Sequence, residues 1–325
     1  MREAWVDQLH EYVPAERVLE KEPMRAHTTF RVGGAAEAFV EICSTAELEG
    51  ILQFVRKEGI PYYVIGNGSN LLVSDEGYPG VILHIGKALG HVDMDARAEF
   101  STTLAGGVSR SKEGEELVMI RAGAGALLSQ VAAYALDQGL TGLEFAAGIP
   151  GSLGGAVRMN AGAFGGEMSQ VVRIARCLDE QGEEVLLSLP ELEMEYRNSI
   201  LSRRDLIVLE VYMELKRGDR TAIEETMQDI ASRRREKQPL EYPSAGSTFK
   251  RPDGNFAGKL IEEAGLKGYR IGGARVSEKH CGFIINYDRA TAMDIWQLMG
   301  EVTRKVELNS GIRLEPEVIM LGNFR

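Results

Sequence analysis

Ser247 sits in Ser244-Ala245-Gly246-Ser247-Thr248-Phe249-Lys250-Arg251, a hydroxyl in a glycine-loosened turn beside two cations. A hydroxyl held next to fixed positive charge can donate a proton to a carbanion or enolate formed in an anionic substrate. The same residues also make an ordinary turn or helix cap. Gly66-Asn67-Gly68-Ser69-Asn70 is a second candidate, two glycines and three short polar residues between apolar runs. Such a turn exposes consecutive backbone N–H groups in a nest suited to a pyrophosphate, and it equally fits a plain hairpin. A dinucleotide fingerprint of the Gly-x-Gly-x-x-Gly type fails here, because Leu71 replaces the third glycine and a strand follows.

A second glycine cluster, Gly148-Ile149-Pro150-Gly151-Ser152-Leu153-Gly154, continues into Asn160-Ala161-Gly162-Ala163-Phe164-Gly165-Gly166. Proline between glycines fixes a sharp turn, and small residues let backbone approach a flat ligand. Ala161 and Ala163 also suit close packing of a helix on a sheet. Two such clusters far apart in sequence read as two walls around one extended cofactor.

Several elements must position these residues. Ser44-x-x-Glu47 reads as a capping box for a helix through Leu48, Ile51, Leu52 and Val55 that ends at Gly59. Tyr62–Ile65 and Leu71–Val73 read as strands flanking the first glycine turn. A second helix runs from Leu128 to Gly139, and strands follow at Val172–Ala175, Glu184–Leu186 and Asp205–Val211. Thr221-x-x-Glu224 is expected to open a helix buried on Ile223, Met227 and Ile230, whose Arg233-Arg234-Arg235 end is read as solvated. A last helix starts at Thr291 and stops by Gly311, and a strand from Ile312 to Leu321 is bent by Pro316. The class is α+β. Domain boundaries near Val73 and near Lys216–Arg220 divide the chain into 1–75, 76–218 and 219–325. The polar stretch 95–115 reads as a surface hairpin or mobile loop.

A chain of 325 residues exceeds one ordinary core. Its net charge of −11 argues against non-specific nucleic-acid binding, so local groups must hold any anionic cofactor. No apolar stretch has the length of a signal peptide or a bilayer span, and a cytoplasmic protein is expected. Cys43, Cys177 and Cys281 lack metal-ligand spacing, which excludes a typical zinc site and leaves free thiols. His280 and Cys281 are adjacent, and neighbours on an extended strand face opposite ways.

His27-Thr28-Thr29-Phe30-Arg31-Val32-Gly33-Gly34, the two glycine clusters, Tyr196-Arg197-Asn198-Ser199, the Ser247 turn and Glu315-Pro316-Glu317 occur in this order along nearly the whole chain. Together they resemble the UDP-N-acetylenolpyruvoylglucosamine reductase family. The resemblance implies an FAD-binding part of the vanillyl-alcohol-oxidase (PCMH-type) fold, made of two domains that sandwich the flavin, and a C-terminal α+β domain that closes over substrate. It implies that NADPH reduces non-covalent FAD, and that hydride then passes to the β-carbon of UDP-N-acetylglucosamine enolpyruvate, giving the muramic acid precursor of peptidoglycan. The resulting α-carbanion beside a carboxylate needs a cation, a stabilising group and a proton donor. By resemblance these are Arg197, Glu317 and Ser247. A planar guanidinium suits a carboxylate, although an arginine so placed also makes surface ion pairs. Glu317 helps only if its proton is retained or shared, and Glu315 is a possible source of a like-charge shift.

The same resemblance assigns Arg31, Gly66, Asn67, Gly68, Ser69, Asn70, Gly148, Ile149, Pro150, Gly151, Ser152, Gly154, Asn160 and Gly162 to FAD. It assigns Lys237, Tyr242 and Lys250 to the substrate, with no metal and no nucleic-acid or membrane partner, in a monomer. Glu214–Arg220 connects sheet to helix directly, as in the shorter type II members that lack an inserted tyrosine loop. Phe164 stands where many relatives have tyrosine. Neither glycine cluster contains a histidine to tether a flavin covalently. Gly68→Val is expected to empty the flavin site and spare the fold. Competing readings are another FAD oxidoreductase of this fold acting on an alcohol or sugar, and a flavin-free protein that binds a nucleotide sugar.

Overall fold

The computed structural model describes residues 5–94, 109–110 and 116–324. The N-terminal part builds a four-stranded sheet from Val18–Pro23 (β1), Ala35–Ile42 (β2), Tyr62–Ile65 (β3) and Tyr78–Ile85 (β5), in the order β1-β2-β5-β3. Helix α1 (Thr45–Glu58) makes the crossover from β2 to β3 and buries Leu48, Ile51, Leu52 and Val55. Ser44 caps it by accepting from Glu47 N at 3.2 Å, and Gly59 ends it at φ 66°. The Glu47 carboxylate bonds to Cys43 N (2.8 Å) and Arg17 (2.6 Å).

Leu71–Val73 (β4) leaves this sheet and pairs in parallel with Ile319–Leu321 (β18) near the C-terminus. The Gly66 turn is therefore no hairpin. It crosses from one sheet to another, which frees its backbone. Because β5 lies between β2 and β3, the first sheet extends to Ile85, and a division at 75 would cut it.

The middle of the chain forms a larger sheet. Val92–Asp93 (β6), Ser109–Arg110 (β7), Glu116–Gly123 (β8), Leu140–Thr141 (β9), Val172–Leu178 (β12), Glu184–Ser188 (β13) and Ile207–Arg217 (β14) follow the path β13-β12-β14-β8-β6, with β7 on β8 and β9 on β14. Gly162–Ala163 (β10) and Gly166–Glu167 (β11) form a separate small hairpin. Helices α2 (Leu128–Asp137) and α3 (Leu153–Arg158) bury Leu128, Val131, Leu153 and Val157 in the core shared with this sheet. Most of the stretch expected as a surface hairpin at 95–115 lies outside the described residues.

β14 ends at Arg217 and helix α4 (Arg220–Lys237) begins almost at once. Its N-cap is Asp219, which accepts from Ala222 N at 2.9 Å, and Thr221 stands inside the helix. The expected Thr221 capping box is displaced because an aspartate two residues earlier satisfies the first free N–H groups.

The C-terminal part sets Arg270–Ile271 (β15), Ala274–Val276 (β16) and Ile284–Asn286 (β17) with α5 (Ala257–Glu263) and α6 (Ala292–Ser310). Thr291 and Asp294 form the capping box of α6, and Gly311 closes it at φ 74°. The Asp75 carboxylate also accepts from Ala292 N and Met293 N, both at 2.9 Å. Phe30, Val32 and Leu72 enter the apolar core around α6, so N-terminal residues complete the C-terminal unit. The expected strand from Ile312 shrinks to β18, with Pro316 making a lone bridge to Phe249. A proline has no N–H to extend a ladder. Among the described residues, no helix is long and apolar enough to cross a membrane.

Candidate active site

Ser247 and Glu317 are brought together by backbone. Lys250 N donates to Glu315 O at 2.9 Å, and Glu317 N donates to Thr248 O at 2.8 Å, so the two motifs run side by side. Gly246 at φ 76° makes the turn. Thr248, fully buried, fixes it: its N–H donates to Gly282 O (2.9 Å) and its hydroxyl accepts from Ile284 N (3.0 Å). Asn70 of the glycine turn donates to Glu317 O at 3.1 Å.

Arg197 arrives from the other side. It lies in a tight turn closed by reciprocal hydrogen bonds between Glu195 and Asn198, at φ 54°. A non-glycine residue there carries about 1–3 kcal/mol of strain, which surrounding structure must hold. Buried Ser199 anchors the turn by donating to Arg158 O at 2.8 Å. Arg197 Nη2 donates to Gly162 O at 3.0 Å, and Nε lies 2.8 Å from Glu317 Oε1.

Burial raises the Glu317 pKa above the ordinary carboxylate value, while the charges of Arg197 and Lys250 partly offset it. Glu315 is 73% exposed and pairs with Lys250 at 3.5 Å. The shift comes from desolvation, and Glu315 is not among its causes.

Arg197, Ser247 and Glu317 line one cleft of about 410 Å3 with the Gly66–Asn70 turn, Ile149–Ser152 and Gly162. The two glycine clusters touch: Asn67 Nδ2 donates to Pro150 O at 2.6 Å, and a Cβ on Gly66 would stand 1.8 Å from Ser152 Oγ. Among the described residues, the N–H groups of Asn67, Gly68, Ser69 and Asn70 make no backbone hydrogen bond. A second cavity of about 250 Å3 shares Gly66, Ser152, Gly155 and Arg158 with the cleft. An elongated dinucleotide with its pyrophosphate at the glycine turn fits this arrangement, and FAD is such a ligand.

Other assigned residues stand farther out. Gly154 lines the second cavity, where a Cβ would come within 3.0 Å of Ala124 Cβ. Asn160 is buried and its amide is spent on Glu195 O (3.1 Å) and Ser169 N (2.9 Å), so it braces the Arg197 turn. Gly148 lies against Arg234, whose Cδ would be 2.7 Å from an added Cβ. Arg31 and Tyr242 line a third cavity, which meets the cleft at Gly66, Asn67 and Pro150. Lys237 is exposed on the last turn of α4, and neither it nor Lys250 lines these cavities.

Gly68 corrects an expectation. At φ 59°, a Cβ would lie 1.9 Å from His27 O, so the residue is glycine to let two backbones pass. A valine there collides with the fold rather than with a ligand.

Arg234, expected on a solvated helix end, lines the cleft, and burial lowers its pKa. Gln238 lines it too. The signal was present: Arg234 and Gln238 extend the inward row Ile223, Met227, Ile230 at helical spacing. Phe164 lines the cleft at φ 52° with the Arg233 guanidinium 4.8 Å above its ring. The His280 ring accepts from Gly282 N through Nδ1 at 3.1 Å, and burial raises the neighbouring Cys281 thiol pKa, which leaves no activated thiol here.

Comparison with known proteins accords with this geometry. A model of the UDP-N-acetylenolpyruvoylglucosamine reductase C-terminal domain matches residues 238–321, and an FAD binding domain model matches 36–188. The chain is 44% identical to the UDP-N-acetylenolpyruvoylglucosamine reductase of Agathobacter rectalis, covering 100% of both chains. It is 45% identical to that of Caldanaerobacter subterraneus, covering 99% of both. The crystal structure of the Thermus caldophilus reductase superposes with a TM-score of 0.73 at 35% identity, over 94% of this chain and 99% of that one. With full-length identity of this order and an FAD-binding fold carrying the Ser247, Arg197 and Glu317 motifs in one cleft, the chain belongs to the UDP-N-acetylenolpyruvoylglucosamine reductase family.

Proposed function

We propose that Arg197, Ser247 and Glu317 together complete the NADPH-dependent reduction of UDP-N-acetylglucosamine enolpyruvate to UDP-N-acetylmuramate, a step in peptidoglycan precursor synthesis. The observation that carries this reading is the 2.8 Å Arg197–Glu317 pair inside the cleft that Ser247 and the glycine turn also line. Bound FAD supplies the two-electron relay between NADPH and the β-carbon of the enolpyruvyl group. The free N–H groups of Asn67 to Asn70 would hold its pyrophosphate.

Charge develops at the α-carbon and spreads into the adjacent carboxylate. The fixed fork of Arg197 meets that charge, and its carbonyl partners hold it in place before reaction. Burial raises the Glu317 pKa, which favours a proton shared beside Arg197 and lessens the repulsion a full carboxylate would add. Ser247 gives its proton to the α-carbon, and its exposure lets solvent replace it. Tyr242 and Lys237 are assigned to the uridine diphosphate part of the substrate, and Lys250 to the substrate without a named part. The first unit is drawn through Ile85, the second through Gly218, and the third from Asp219 onward. A cytoplasmic monomer completes the reading, and sedimentation of the purified chain tests its oligomeric state.

Anaerobic mixing separates the two halves of the reaction. NADPH should bleach the flavin, and the enolpyruvyl substrate should then restore its colour and yield the lactyl ether. A flavin that bleaches but ignores this substrate would overturn the reading.

A further inference from the structure

We propose that Tyr62, Arg56 and Asp205 form a clasp that holds the second cavity closed over the adenosine half of FAD, making the site selective for the dinucleotide over FMN. The inference rests on the FAD reading above. The cavity lies between β3 and the residues leading into β14, and it joins the reactive cleft at the glycine turn through Gly66 and Ser152. A flavin with its pyrophosphate at that turn has its ring on the side of Ser247 and its other end in this cavity. FMN stops at its single phosphate and does not reach it.

The walls belong to different units, and three side chains tie them together. Tyr62 and Asp205 both line the cavity, and the tyrosine hydroxyl donates to Asp205 Oδ2. Arg56, on α1, donates from Nη2 to the same carboxylate oxygen at 2.8 Å and from Nε to the tyrosine oxygen at 3.1 Å. Its Nη1 reaches Asp179 O at 3.4 Å. The three guanidinium nitrogens, the tyrosine hydroxyl and Asp205 Oδ2 are thus turned toward another clasp member or the opposite wall. Tyr62 also lines the cavity, with the Arg56 guanidinium carbon 5.7 Å from its ring centroid. Burial raises the Tyr62 pKa to about 12, so the hydroxyl stays a donor throughout the neutral range. None of the three lines the cleft that holds Ser247 and Glu317.

The test titrates deflavinated full-length protein with FAD and, separately, with FMN, following quenching of flavin fluorescence. Tyr62→Phe and Asp205→Asn should each weaken FAD binding by about tenfold, equivalent to about 1.4 kcal/mol, and leave FMN binding unchanged. Unaltered FAD affinity, or equal weakening toward both flavins, would overturn the clasp. A parent chain that binds neither flavin would instead remove the FAD reading itself. If Asp205→Asn does not fold, Arg56→Lys leaves the cavity lining intact, keeps a positive charge, and is read by the same criterion.

Discussion

Arg197→Gln separates binding from chemistry. In the parent, Nε lies 2.8 Å from Glu317 Oε1 and Nη2 is held by Gly162 O at 3.0 Å, so the guanidinium is fixed before any substrate arrives. A unit charge at about 4 Å interacts by about 4 kcal/mol at an effective dielectric near 20. Charge present only in the transition state converts that energy into rate, about a thousandfold. Glutamine keeps polarity and much of the length but removes the charge. In anaerobic stopped-flow, bleaching of the flavin by NADPH should remain within a few-fold of the parent, while recolouring by the enolpyruvyl substrate should slow by about a thousandfold. Because Arg197 also offsets the burial shift of Glu317, the variant should hold the glutamate proton to still higher pH. Equal slowing of both half-reactions would refute the reasoning and identify Arg197 as a residue that shapes the flavin site.

Other outcomes follow from the same geometry. Ser247→Ala should leave reduction by NADPH intact and slow substrate-dependent recolouring by at least about 10²–10⁴-fold, with Ser247→Cys recovering part of the rate; parent-like recolouring in the alanine variant would make Ser247 a turn former. The raised pKa of Glu317 means that the folded chain binds this proton more tightly than the unfolded chain, so its stability contribution is present at low pH and lost as pH rises through the folded pKa. Melting of Glu317→Gln between pH 4 and 8 should show a smaller loss on that rise, and parallel profiles would contradict the shift. Gly68→Val should yield little folded protein, whereas Gly151→Ala, whose Cβ would meet Ser69 Oγ at 3.6 Å, should fold and bind FAD more weakly; circular dichroism and flavin titration distinguish the two. Asp75→Ala removes two acceptors from the N-terminus of α6 and should cost about 1–2 kcal/mol in urea unfolding with flavin content unchanged.

Short-range pattern made much of the protein legible. The 3.6-residue rows of α1, α2 and α6, their ends at Gly59 and Gly311, and the Ser247 and Glu317 motifs are local features, because a helix face or a turn is decided by neighbours a few residues away. Two candidate caps of the same chemistry compete at the start of α4, and Asp219 rather than Thr221 takes the position. The inward face of Arg234 continued a row visible in the sequence, yet a run of three arginines looks solvated until something is packed against it. What tertiary structure alone decided was pairing at a distance. Parallel contact of β4 with β18 turned an apparent hairpin into a crossing between sheets, and the ladder from Thr248–Lys250 to Glu315–Glu317 set a serine beside a glutamate. It also decided burial: Glu317 and Glu315 are near-identical in sequence setting, yet one faces Arg197 in the cleft and the other faces solvent. Strand partners and desolvation depend on which surfaces the whole chain brings together, and an alternating pattern states only that a strand has two faces, not what each will meet.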